Sequence, residues 1–187
     1  MIQQIIRTSA WQEFINQIDL KASLSLGLIR SARYPVVSAL LQDCRRPVLL
    51  ITDKTIHGLL TNDELGYWNP DCSRLFFPAS DPLFYEQASW SSAVRRERIQ
   101  VLTQLVRYSL PTSDQSDYYP VMITPIRALM TKTLEKRVFI KASRTLRCGQ
   151  EITPEVLVRS WVETGYESVE IVLDTGQFSK RGGLLDI

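Results

Sequence analysis

TGYESVEIVLDTGQFSKRGGLLDI, residues 164–187, is the densest pattern in the chain. Val169, Ile171 and Leu173 alternate with Ser168, Glu170 and Val172, a period of two that predicts a strand. Asp174-Thr175-Gly176 supplies the small, φ > 0-tolerant residues of a turn, so residues 178–181 are expected to run back antiparallel to that strand. Gly182-Gly183 then breaks the chain direction, and Leu184 to Ile187 begins another strand. Just upstream, Thr153-Pro154-Glu155 combines a capping hydroxyl, a proline at the first helical position and an acid in the first turn. The helix it predicts buries Val156, Leu157, Trp161 and Val162 and ends at Gly165. The expectation is a helix covering a small antiparallel sheet. A chain that closes on an apolar strand with no polar tail is expected to be a piece of a longer one.

Toward the N-terminus the pattern changes to strands alternating with helices, which implies a parallel α/β sheet. Residues 46–53 hold a continuous apolar run with the look of a buried parallel strand, 73–78 give the next, and Val121-Met122-Ile123-Thr124 a third, ended by Pro125 at the first turn of a helix over 126–134. Trp11, Phe14, Ile15 and Ile18 predict a helix over 9–20 capped by Ser9, and a further helix is expected over 54–65. The helix over 91–106 has Val94, Ile99, Leu102, Leu105 and Val106 as its apolar stripe. Leu24-Ser25-Leu26 reads as a short strand, and Met122, Leu129 and Met130 as core. A polar connection spans 110–120. Arg137 to Lys141 is a strand candidate opening a second unit, so the division is 1–134, an α/β domain, and 135–187, part of a small α+β domain.

Composition limits the chemistry. Across 187 residues the net charge is only +2, no footprint for nucleic acid. Arg95, Arg96 and Arg98 are the most basic spot, but Glu97 interrupts them and no aromatics interleave, so a solvated helix face is expected. Cys44, Cys72 and Cys148 are far apart and His57 is the single histidine, which offers neither metal-ligand spacing nor a disulfide framework. Cys148 has no neighbouring base in the sequence, and Asp81, Tyr85 and Glu86 have no histidine partner, so no catalytic group, metal or cofactor is expected. No window is apolar enough to span a bilayer, and sparse thiols suit a reducing cytoplasm.

Four stretches carry a resemblance. Gly165-Tyr166, then Gly176-Gln177-Phe178, then Lys180-Arg181-Gly182-Gly183-Leu184-Leu185-Asp186-Ile187 resemble the small UvrA-binding domain of UvrB and of the bacterial transcription-repair coupling factors. Leu146-Arg147-Cys148-Gly149-Gln150 is similar to the lead-in of that domain, and Val121 to Met130 to a strand–Pro–helix unit of the same family. The run Gly27-Leu28-Ile29-Arg30-Ser31-Ala32-Arg33-Tyr34 resembles the nucleotide loop of UvrB in position. Arg30 and Ala32 stand where glycines would be, Arg33 where the lysine would be, and Tyr34 where the Mg²⁺-binding hydroxyl would be. Side chains at two glycine positions obstruct a phosphate cradle, so a P-loop-like domain that has lost ATP binding is expected, with Arg30 and Arg33 either solvated or retaining some anion contact.

The resemblance implies a non-catalytic interaction module that recruits UvrA, linking stalled RNA polymerase to nucleotide excision repair, with an ATP-driven translocase elsewhere in the full-length protein. It puts Arg181 at the UvrA contact, with Phe178, Lys180 and Tyr166 beside it, while Ser179 replaces a second arginine. Phe178 is read either as a docking anchor or as core. The resemblance also implies an intramolecular contact with the C-terminal part of the full-length protein that covers this surface. The alternative is an ATP-dependent UvrB-like repair enzyme whose motor motifs lie beyond residue 187.

Overall fold

Short apolar runs bounded by polar residues become strands in the first part of the chain, and helices fill the intervals. The computed structural model describes residues 1–20, 23–44, 46–80, 90–109 and 119–187, which form two units, Met1–Lys132 and Thr133–Ile187. The first unit runs α1 (Ile2–Ile6), α2 (Ser9–Asp19), α3 (Arg30–Cys44), β1 (Val48–Thr52), α4 (Thr55–Trp68), β2 (Arg74–Phe76), α5 (Ser92–Ser109), β3 (Val121–Pro125) and α6 (Ile126–Leu129). Both β1 and β2 pair parallel with β3, in the order β1-β3-β2.

The central strand explains the layering. Val121 and Ile123 point to one face and are fully buried against Leu41 of α3 and Leu65 of α4, with Val37, Val48, Leu50 and Phe76 around them. Each such side chain contributes about 1.5–3 kcal/mol by leaving water. On the other face Met122 and Leu75 meet Val101, Leu102 and Leu105 of α5. Gly58 lets α4 approach the sheet, since a Cβ there would lie 3.0 Å from the Phe76 ring and 3.2 Å from Thr52 Oγ1.

Several expectations are corrected here. The run at 46–53 is parallel but not buried on both faces: β1 is an edge strand, and Leu49 and Ile51 stay 48% and 51% exposed. Leu24 to Leu26 forms no strand, and α3 begins at Arg30, so Arg30 to Tyr34 are helical where a loop was expected. The cap of α2 is Thr8, whose hydroxyl accepts from Trp11 N, rather than Ser9. Helix α6 stops at Leu129. Met130 is 82% exposed and Leu129 is exposed too, because one short turn after β3 carries both out of the core. In α5, Ile99 is exposed; Arg98 and Val101 are the buried positions, and Leu102 and Leu105 pack beside them as expected. The loop carrying Asp81, Tyr85 and Glu86 and most of the 110–120 connection lie outside the described residues.

The second unit runs α7 (Lys136–Ala142), α8 (Pro154–Glu163), β4 (Glu167–Ser168), β5 (Gln177–Arg181) and β6 (Leu184–Asp186). The predicted strand at 137–141 is α7 instead. A run as short as Val138-Phe139-Ile140 fits either period, and this one pairs with no strand and buries only Phe139. The antiparallel pairing of 169–173 with 178–181 is also corrected. Here β4 pairs parallel with β5, Glu167 opposite Gln177 and Ser168 opposite Phe178, and the antiparallel hairpin is β5–β6. Residues 169–176 form a loop in which the Leu173 and Asp174 amides donate to Gln177 Oε1 at 2.9 and 3.0 Å. That side-chain acceptor replaces a strand partner.

Candidate functional site

Helix α8 sets the frame of the small unit. Thr153 is its N-cap and Pro154 its first residue, although the Thr153 hydroxyl makes no capping bond. The Tyr166 amide donates to Trp161 O at 2.9 Å and the Gly165 amide to Val162 O at 3.1 Å. That pair of bonds is a Schellman close, and it requires the left-handed φ of +93° that Gly165 adopts. The apolar contact that goes with it is Tyr166 against Trp161, ring centroids 6.3 Å apart. The chain therefore leaves α8 in the direction that starts β4.

Phe178 lies under this close. It is 1% exposed, with its ring 5.5 Å from Trp161, so its apolar area faces the core of the unit and is not offered to a partner. Its neighbour Ser179 is also buried, and its hydroxyl donates to Glu170 O at 2.9 Å, tying the 169–176 loop to β5. The arginine that Ser179 replaces in the resembled family has no counterpart on this strand.

The two cations of β5 follow at Lys180 and Arg181, and alternation along a strand sends them to opposite faces. Lys180 shares the face of Phe178 and reaches Glu155 in the first turn of α8, Nζ to Oε1 3.0 Å. That hydrogen bond holds the Glu155 carboxyl below its ordinary pKa. Arg181 is exposed on the other face, and its Nη2 donates to Asp186 Oδ2 of β6 at 2.5 Å. The β5–β6 turn closes from Arg181 to Leu184 through Gly182-Gly183, with Gly182 at a φ of +59°. Of the four residues named from sequence for this site, Arg181 is exposed, Lys180 is exposed but bound to α8, Tyr166 is half-buried, and Phe178 is interior.

The second place singled out in sequence is the stretch from Gly27 to Arg33. Gly27 lies in an irregular lead-in where Leu28 N donates to Leu26 O at 3.0 Å, and a Cβ there would meet nothing within 4 Å, so no close approach calls for glycine. Arg30, Ser31, Ala32 and Arg33 form the first turn of α3. Arg30, Arg33 and Tyr34 line a cleft of about 460 Å³ whose other wall holds Asp53 and His57. His57 Nδ1 lies 2.5 Å from Asp53 Oδ1, and the hydrogen bond to His57 is the main cause that lowers the Asp53 pKa. A carboxylate facing two arginines opposes the gathering of phosphate oxygens.

The expectation of a solvated helix face for Arg95, Arg96 and Arg98 fails at Arg98, which packs inward. It is 3% exposed, its guanidinium 4.0 Å from the centre of the Phe77 ring and 4.9 Å from that of Trp90, with Nη1 donating to Pro78 O at 2.8 Å. Among the described residues the buried Nη2 meets no hydrogen-bond partner, and burial pushes the guanidinium pKa down. The signal was present: Val94, Arg98, Val101 and Leu105 fall at spacings of four, three and four, which puts Arg98 on the apolar stripe. The intramolecular acids Glu155 and Asp186 were also missed as partners of the β5 cations. Nothing in sequence distance announces them.

Residues 145–187 match the UvrB interaction domain family. The transcription-repair-coupling factor of Bacillus subtilis (strain 168) is 30% identical over 189 residues, covering 100% of this chain and 15% of that protein. That of Myxococcus xanthus is 32% identical over 113 residues, 60% of this chain and 9% of its own length. The Staphylococcus aureus (strain NCTC 8325 / PS 47) protein is 27% identical over 176 residues, 92% of this chain and 14% of its own length. The chain thus spans at most 15% of these relatives. Over its whole length the chain is a homologue of part of the transcription-repair-coupling factors, and its residues 145–187 belong to the UvrB interaction domain family.

Proposed function

We propose that this chain is a protein-interaction module that recruits UvrA, through the β5–β6 hairpin, to couple stalled transcription to nucleotide excision repair. One observation carries the reading: within the stretch that matches the UvrB interaction domain, Arg181 is an exposed guanidinium at the tip of a hairpin stiffened by a glycine turn. A guanidinium recognises carboxylates by a planar fork of donors, so the surface it docks on is acidic. Tyr166 lies on the loop side of the same unit and adds apolar and hydroxyl contact. Phe178 contributes through the core that supports the hairpin, and Lys180, paired with Glu155 of α8, lies beside the contact without forming its centre. The homologous coupling factors supply the transcription-repair context.

The test is binding of the chain to purified UvrA with Arg181→Ala in parallel. Affinity is expected to fall on the order of tenfold or more, the loss typical of a central interfacial arginine. Equal affinity in the two proteins removes Arg181 from the contact and the recruitment reading with it.

A further inference from the structure

Resting on the recruitment reading above, we infer that Asp186 is an intramolecular competitor for the Arg181 guanidinium and sets how tightly the docking face takes a partner's carboxylate. Strand register puts the two residues together. Arg181 pairs with Leu184, and Asp186 lies two residues beyond on β6, the diagonal position on the same face of the hairpin. Nη2 and Oδ2 meet at 2.5 Å, a charge-assisted contact between two exposed groups. A two-residue turn with Gly182 at a positive φ fixes the spacing of the strands, so the carboxylate does not swing away with a mobile loop.

An arriving carboxylate consequently meets a cation whose charge is already opposed and one of whose donors is occupied. To use the full fork it must displace Asp186, which becomes a threshold that weak or poorly placed acids do not cross. The second cation cannot substitute, because Lys180 points to the opposite face and is held by Glu155 at 3.0 Å. That opposed pair provides an internal control: it has the same chemistry, lies in the same unit, and faces away from the Arg181 surface.

The experiment measures the dissociation constant of the chain for purified UvrA in the wild-type protein and in Asp186→Asn, Glu155→Gln and Arg181→Ala. Asparagine keeps the shape of the aspartate and removes its charge. Freeing an exposed ion pair is expected to tighten binding roughly two- to fivefold in Asp186→Asn, with the gain shrinking as salt is raised. The thermal midpoint of that variant is expected not to rise, so affinity and stability move independently, which a purely structural residue does not allow. Glu155→Gln is expected to leave affinity within about twofold of wild type. An unchanged or weaker affinity in Asp186→Asn, alongside weakening in Arg181→Ala, overturns the competition and leaves the recruitment reading standing. Equal tightening in Glu155→Gln also overturns it, by showing a response to net charge alone. Unchanged affinity in Arg181→Ala overturns both.

Discussion

Removing the Phe178 ring asks most directly whether it supports the hairpin or contacts the partner. Phe178 is 1% exposed and packs on Trp161, so Phe178→Ala empties the space between α8 and β5. A buried Phe→Ala change costs about 3–5 kcal/mol, of which the lost aromatic pair accounts for roughly 0.5–1.5. At roughly 0.05–0.15 kcal/mol per residue, a unit the size of Thr133–Ile187 has about 3–8 kcal/mol of stability in total. The substitution is therefore expected to remove most of the stability of the small unit and none from Met1–Lys132. Amide hydrogen exchange read peptide by peptide separates the two: protection of α8 and β5 collapses, while that of β3 and α4 is kept. Phe178→Leu retains much of the volume and is expected to cost about 1–2 kcal/mol, leaving the unit folded and UvrA binding nearly intact. If Phe178→Ala keeps full protection in α8 yet loses UvrA affinity, the ring is a surface contact and the packing argument is wrong.

Two further outcomes follow from buried and paired charge. Arg98 is buried with its charge desolvated and, among the described residues, Nη2 without a partner, so Arg98→Met, which keeps the stem packed against Phe77 and Trp90, is expected to change stability by less than about 1 kcal/mol in either direction. Arg98→Ala, which also opens a cavity, is expected to cost about 2–4 kcal/mol, and urea denaturation compares the two. For Glu155 the folded-state pKa is depressed, chiefly by the hydrogen bond from Lys180. Its contribution is present above the unfolded-state pKa and is lost as pH falls through the folded one, so Lys180→Gln is expected to raise the Glu155 midpoint in a carboxyl NMR titration and to flatten stability across that acid window.

The acquisition of strands and helices in the first unit follows local pattern closely. The runs at 48–52, 74–76 and 121–125 are short, apolar and bounded by polar residues, and the intervals between them carry helical periodicity. Local pattern also placed Gly165 at the end of α8 and Gly182-Gly183 between two strands, because a positive φ is a property of the backbone that glycine alone adopts cheaply. The motif around Arg181 was legible for the same reason: its residues are contiguous.

Contiguous pattern therefore carried the element types, the parallel α/β character and the place of the proposed docking motif. Which faces are covered was settled by packing between elements. Register sets Leu49 beside Met122 and Ile51 beside Thr124 on one face, yet Leu49 and Ile51 of the edge strand are exposed while Met122 is half-buried and Thr124 fully buried, because burial depends on neighbours distant in sequence. The Val169–Leu173 alternation suited a strand, but Gln177 takes the Leu173 and Asp174 amides at its end, and Val138 to Ile140 suited one until no partner was at hand. Phe178 went to the core, Arg98 went under two aromatic rings, and Arg181 acquired Asp186, each through a contact across elements that spacing along the chain does not encode.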